Sequence, residues 1–195
     1  KYPFWIGNND PKWNVEHDHL LTIPNFYEFK HNKDVVDNNI VGFAARMETR
    51  KCPHFLQGIK SELTTDPKDV LWWKRNLDID TTDWKIYKFN YEFLGKFYER
   101  GWGISHSAHI YEPFGYSIFQ AVDWGKIPIL AHDWLPEYDY PFRAQSPEEF
   151  KEQYEKICNL TLKEKGDYLY PLREHLRQWD NKEEWTTELL KLYNE

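Results

Sequence analysis

The stretch Tyr111-Glu112-Pro113-Phe114-Gly115-Tyr116-Ser117-Ile118-Phe119-Gln120-Ala121-Val122-Asp123-Trp124-Gly125-Lys126-Ile127-Pro128-Ile129-Leu130-Ala131 decides the fold. Pro113 and Gly115 mark a turn, and Ile118, Ala121 and Val122 then recur at helical spacing between Ser117 and Trp124. Gly125 stops that helix, and Ile127 to Ala131 is a short apolar run that suits a buried strand. Turn, helix, stop and buried strand in this order make up most of a strand-helix-strand crossover, the unit from which parallel sheets are built. In such sheets ligands bind at the carboxyl ends of strands, and a glycine-bearing turn into a helix presents backbone N–H groups to an anion. The turn admits two readings: a phosphate or sugar site, or a tight turn with Glu112 merely solvated.

Upstream, Gly101 to His109 predicts another strand of the same sheet, and Tyr91 to Tyr98 a helix before it. Asn39 to Ala45 is a short apolar run meeting Gly42, again a buried strand, followed by the polar segment Arg46 to Lys51. Phe55, Ile59 and Leu63 then recur at four-residue spacing, which predicts a helix face. Leu71-Trp72-Trp73 and Trp84-Lys85-Ile86-Tyr87, aromatic and β-branched, suit strands. Downstream, Ser146-Pro147-Glu148-Glu149 combines a capping serine, a first-turn proline and a glutamate at the third helical position, with Phe150, Tyr154 and Ile157 on one face behind it. Leu172, Leu176 and Trp179 repeat the pattern, as do Trp185, Leu189 and Leu192. Strands alternating with helices predict an α/β fold, a Rossmann-like doubly wound parallel sheet. The expected division is a lead-in or interdomain linker over residues 1–34, the Rossmann-like body over 35–145, and helices packing on it over 146–195.

The chain has 195 residues, a net charge of −7, a mean hydropathy of −0.83 and 18% aromatic residues. The aromatic content supplies a core and excludes a disordered tail. No uncharged apolar run approaches the ~18 residues that cross a bilayer, and Lys1-Tyr2-Pro3-Phe4-Trp5 opens no signal-peptide pattern. Charge of this sign does not suit a non-specific duplex-binding module, so a phosphate site has to be local. Cys52 and Cys158 form neither a disulfide framework nor a zinc signature, which fits a reducing cytoplasm. The sequon Asn159-Leu160-Thr161 is discounted, because nothing else points to secretion.

Residues 111–131 resemble the signature of retaining GT-B glycosyltransferases (glycosyltransferase group 1, family-four-like), which carry E-x-F-G, a second glutamate eight residues on, and A-x-x-x-G-x-P-V. Two further elements agree. Val41-Gly42 followed by Arg46 and Lys51 is similar to the family's G-R-x-x-x-x-K-G, and Ile23-Pro24-Asn25-Phe26 resembles the turn that introduces its nucleotide-binding domain. The resemblance implies a C-terminal nucleotide-sugar-binding domain. In it Arg46 and Lys51 would grip the donor diphosphate and Glu112 the transferred hexose. Phe114, Gly115, Tyr116 and Ser117 would offer amides to sugar and phosphate, and Gln120 would meet the ribose. Apart from the resemblance, the position of His109 near its strand's end, three residues before Glu112, makes it a further candidate to touch the donor. Physically, cations and helix-end amides stabilise the charge that grows on a departing diphosphate.

Gln120 stands where the family has its second glutamate and Cys52 where it has glycine. GT-B enzymes use two Rossmann-like domains and this chain suffices for one. The expectation is therefore a missing N-terminal acceptor domain, in cis or on a partner chain, with the helix around Trp185 and Leu189 crossing toward it. The implied donor is a nucleotide-diphosphate sugar of UDP-glucose type. The acceptor would be a glycan, a lipid or a DNA base, so nucleic acid enters only as acceptor, and no metal or other cofactor is required. Competing patterns are weaker. Asp78-Ile79-Asp80 could share a divalent cation, His17-Asp18-His19 is polar and solvent-facing, and His106 and His109, at odd spacing on a strand, would point to opposite faces. No Gly-x-Ser-x-Gly nucleophile elbow occurs. The non-enzymatic alternative is a nucleotide-sugar or carbohydrate-binding module that uses the ten Trp for stacking.

Overall fold

The computed structural model describes residues 5–6, 20–21, 26–110, 115–183, 185–187 and 190, the first two pairs and Tyr91 by backbone alone. Trp5–Ile6 (β1) and Leu20–Leu21 (β2) form a short parallel pair. The body is a five-stranded sheet of Val41–Ala44 (β3), Ser61–Thr65 (β4), Trp84–Lys88 (β5), Ile104–Ser107 (β6) and Ile127–Leu130 (β7). Its spatial order is β5-β4-β3-β6-β7 and every neighbouring pair is parallel. Helices Pro67–Leu77 (α1), Tyr91–Tyr98 (α2) and Tyr116–Asp123 (α3) connect β4 to β5, β5 to β6 and β6 to β7, and Pro147–Cys158 (α4) and Leu162–Leu176 (α5) follow. This is the doubly wound α/β arrangement expected. The winding reverses between β3 and β6, which opens a crevice at their carboxyl ends.

Alternation along β3 separates the two faces of the sheet. Val41 and Phe43 enter the larger core with Leu63, Ile129, Phe150 and Leu172, whereas Ile40 and Ala44 pack on the smaller cluster of Phe97, Tyr98, Trp102 and Ala121. Gly42 is required on that second face, because a Cβ there would lie 2.2 Å from the Trp102 ring. Gly125, at φ +76°, ends α3 where the carbonyl oxygen of Asp34 would meet a Cβ at 2.0 Å. α4 begins as its sequence dictates: Ser146 Oγ accepts from the Glu149 amide at 3.2 Å, with Pro147 in the first turn.

Three expectations are corrected. Phe55, Ile59 and Leu63 do not share a helix: Phe55 lies in the 3-10 turn Pro53–Leu56, Ile59 in a loop, and Leu63 in β4. Left-handed Cys52 precedes Pro53, and Gly58 at φ +72° bars a helix from continuing to β4, so the three side chains reach one core from three elements. Leu71-Trp72-Trp73 is helical, not extended. Asp66 caps α1 by accepting from the Lys68 amide at 2.9 Å with Pro67 behind it, and this start signal outweighs the aromatic preference for strands. His106 and His109 do not diverge: β6 ends at Ser107, the alternation stops with it, and the two rings lie 5.4 Å apart. Leu189 and the Ile23-Pro24-Asn25 turn lie outside the described residues, while Trp185 packs on Phe26 with ring centres 5.1 Å apart.

Candidate functional site

A cleft of about 560 Å³ opens at the carboxyl ends of the central strands. Ala44 to Arg46, leaving β3, form one wall with Arg50 and Lys51; Thr65, Asp66 and Asp69, where β4 runs into α1, form another. Phe89 and Leu94, after β5, and Tyr116, Ser117 and Gln120, on the first turns of α3, complete it. Arg46, Lys51, Tyr116, Ser117 and Gln120, predicted from separate motifs, thus meet around one space. Glu112 and Phe114 lie outside the described residues. His109 is buried, 6.1 Å from Phe43 by ring centres, and is not one of the described residues lining the cleft.

The geometry of each wall follows from local sequence. Thr49–Lys51 is a single 3-10 turn ended by Cys52 in the left-handed region at φ +50°. The position where the resemblance places a glycine therefore keeps a glycine-type backbone, at a cost of about 1 kcal/mol for the side chain it carries. Burial pushes the Cys52 thiol up. On the opposite wall Gly115, at φ +75°, turns the chain into α3, and the Ile118 amide donates back to its carbonyl at 2.7 Å. Gly115, as the residue before the helix, has no side chain with which to cap it.

The cationic wall carries its own counter-charge. Glu48 accepts from Arg50 Nε at 2.7 Å and pairs with Arg46 Nη1 at 3.3 Å. The hydrogen bond from Arg50 is the main cause that holds its carboxyl below the usual range, helped by the charges of Arg46 and Lys51. Burial raises the Tyr116 phenol. Arg50, Asp66, Asp69 and Phe89 were not singled out from sequence. The available signals were the basic run Arg50-Lys51, the Asp66-Pro67 helix start, and the position of Phe89 directly after a strand.

Among the described residues no group of three or more His, Cys, Asp or Glu is placed to hold a metal ion. Asp78 and Asp80 serve their own turn: Asp78 ends α1 at φ +51°, and Asp80 accepts from the Thr82 amide and hydroxyl at 2.9 and 2.6 Å. His17 and His19 lie outside the described residues. Among the described residues no helix is long and apolar enough to cross a membrane.

No protein-family model matches the sequence, and no curated protein matches it. Solved structures do. A Staphylococcus aureus TarM variant, crystallised with fondaparinux, alpha-GlcNAc-glycerol and UDP, superposes with a TM-score of 0.70 at 16% identity, over 94% of this chain and 41% of that one. Sucrose-phosphate synthase from Thermosynechococcus elongatus gives 0.66 at 16% identity, over 94% of this chain and 54% of its own. The pneumococcal O-GlcNAc transferase GtfA, in complex with UDP and GlcNAc, gives 0.63 at 13% identity, over 97% and 44%. The chain has a GT-B glycosyltransferase-like fold. It spans about half of the length of each of these structures.

Proposed function

We propose that the chain is the donor-binding domain of a retaining glycosyltransferase, which transfers a hexose from a nucleotide-diphosphate sugar of UDP-glucose type to a glycan, lipid or DNA-base acceptor. The observation that carries this is the meeting of Arg46 and Lys51 with Tyr116, Ser117 and Gln120 around one cleft at the switch point of a parallel sheet. Two of the GT-B neighbours were crystallised with UDP. Residues 35–145 form the donor-binding body, the helices after 146 brace it, and the acceptor side belongs to a second domain, in cis or on a partner chain.

The reaction breaks a sugar–phosphate bond and leaves negative charge on the diphosphate. Arg46 meets that charge with a planar fork of donors and Lys51 with a point charge, and the first turn of α3, which lines the same cleft, supplies backbone amides. Such fixed donors act without reorganising as charge develops, which lowers the barrier rather than only tightening the complex. Glu112 accepts hydrogen bonds from hexose hydroxyls, and Gln120 donates to and accepts from ribose hydroxyls as a neutral group. The two free thiols suit a reducing compartment, and we place the protein in the cytoplasm.

Calorimetric titration of the chain and of Lys51→Ala with UDP-, GDP- and ADP-sugars tests the reading. One donor binds the wild type, the variant binds it at least about tenfold more weakly, and binding survives a chelator, since the diphosphate is held by side-chain cations. Absence of binding to all three donors overturns the proposal, and a strict divalent-cation requirement counts against it.

A further inference from the structure

The cation-bearing segment between β3 and the Pro53–Leu56 turn makes few regular hydrogen bonds of its own, yet its backbone is held from three directions. Trp73, buried on α1, donates from Nε1 to the Met47 carbonyl at 2.7 Å. His106, buried on β6, bonds through Nε2 to the Cys52 carbonyl at 2.8 Å, so Nε2 carries the proton. Between them the Ile110 amide donates to the Arg50 carbonyl at 2.8 Å. The anchored carbonyls are those of residues 47, 50 and 52, and they bracket the side chains of Arg50 and Lys51 that line the cleft.

We propose that Trp73 and His106 are positioning residues: their buried donors pin the two ends of the cation loop and thereby aim Arg46, Arg50 and Lys51 into the cleft. This rests on the reading of that cleft as the donor site. The physical case is one of exposure. The Arg46 side chain is 83% exposed and its pairing with Glu48 lies in solvent, where an ion pair does little to fix geometry. Trp73 and His106 are 4% and 2% exposed, so water does not replace their hydrogen bonds without opening the core. His106 is in turn immobilised by aromatic rings, with Phe150 at 4.8 Å and Phe43 at 5.2 Å between centres. Among the described residues its Nδ1 has no hydrogen-bond partner. A residue there only for packing would need no polar atom, and leucine or phenylalanine would serve better. Among the described residues, the bond that the His106 ring makes is the one to the loop.

The test uses the full chain, with Trp73→Phe and His106→Leu removing one donor each and His106→Gln restoring a side-chain N–H. Limited trypsin digestion reads cleavage after Arg46, Arg50 and Lys51 against cleavage after Lys156 in α4 and Arg173 in α5. Titration with UDP is the second readout. The expected result is loop cleavage about five- to tenfold faster in Trp73→Phe and His106→Leu, the worth of one buried hydrogen bond, with the helix sites unchanged. UDP affinity falls severalfold in the same two variants, and His106→Gln recovers both properties. Cleavage that stays at the wild-type rate overturns the proposal, and so does faster loop cleavage with full UDP affinity. If one variant digests at every site alike it has lost its fold, and the variant at the other end of the loop decides. Failure of the wild type to bind UDP or any nucleotide sugar counts against the site reading alone, because the digestion pattern judges the anchors without a ligand.

Discussion

Lys126 and Arg46 sit at opposite ends of the same parallel sheet, and their surroundings differ in kind. Lys126, just before β7, is 2% exposed; its Nζ donates to the Arg100 carbonyl at 2.7 Å and lies 4.8 Å from the centre of the Trp102 ring. Its neighbours at the amino end are equally committed. Asp123 accepts from the amides of Lys30, His31 and Asn32 and from the Tyr27 hydroxyl. Lys165 binds Asp37 and Asn39 at 2.8 and 3.2 Å, and Arg173 donates to the Val122 and Lys33 carbonyls. At the carboxyl end Arg46 and Arg50 share the carboxylate of Glu48 in solvent. A buried charge costs several kcal/mol unless it is fully answered, whereas an exposed pair contributes about 0–1 kcal/mol. Charges at the amino end therefore build the fold, and those at the carboxyl end stay cheap to reassign to a ligand.

The largest expected effect is at Asp123. Asp123→Ala takes a fully buried acceptor away from the amides of residues 30–32 and the Tyr27 hydroxyl and lowers stability by about 3 kcal/mol, read as a fall in the urea midpoint. A loss below about 1 kcal/mol would mean that the amino-end charges are as replaceable as those of the cleft.

Next in size is the pH dependence set by Lys126. Burial pushes its pKa down from 10.5 to about 8. Between those values the unfolded chain binds the proton that the native protein has released, so stability rises as pH rises from about 8 toward 10.5, by at most about 3 kcal/mol. Tyr27 and Tyr98, whose phenols burial raises, pull the other way near and above pH 10. Cys52 and Cys158, whose thiols burial raises, oppose the rise from about pH 9 in wild type and variant alike, so the difference between the two proteins over pH 8–10 isolates Lys126, and Lys126→Met flattens the rise there. Equal slopes in the two proteins would remove Lys126 from the charges that the fold strains to hold.

The elements around the switch point were legible because their signals are local. Gly125 stops α3, Ser146 and Pro147 start α4, and the apolar run of β7 is bounded on both sides. Leu71-Trp72-Trp73 misled because aromatic weight was read ahead of the Asp66-Pro67 start. Phe55, Ile59 and Leu63 misled because a four-residue recurrence arises whenever successive elements face one core. The site divides along the same line. Arg46, Lys51, Tyr116, Ser117 and Gln120 belong to contiguous motifs and could be read in place. Asp66, Asp69 and Phe89 join them only through the strand order β5-β4-β3-β6-β7, which sets the ends of β4 and β5 beside that of β3. His106 is the hardest case, since a buried histidine on a strand announces no role until the carbonyl that it meets is known.

Removing a carboxyl-end cation should leave the fold intact and still abolish much of the binding. Lys51→Ala keeps the wild-type urea midpoint within about 0.5 kcal/mol, yet loses about 1.5–3 kcal/mol of nucleotide-sugar affinity, the usual worth of a charge-assisted hydrogen bond. A variant that lost both together would place Lys51 with the structural charges instead.

The smallest effect carries the most informative sign. Glu48 stands against Arg46 and Arg50 as an anion would, so under the proposed function a diphosphate would compete with its carboxylate for them. If Glu48 oriented those side chains, Glu48→Gln would weaken donor binding. The loop is held instead by its buried backbone anchors, so Glu48 contributes charge rather than geometry, and Glu48→Gln should tighten binding by about 1.4- to fivefold, matching an exposed ion pair of about 0.2–1 kcal/mol. The gain should shrink with added salt, because exposed charges about one Debye length apart are screened. Titration at two ionic strengths reads both, and weaker binding in Glu48→Gln would show that the carboxyl end, like the amino end, relies on its charges for shape.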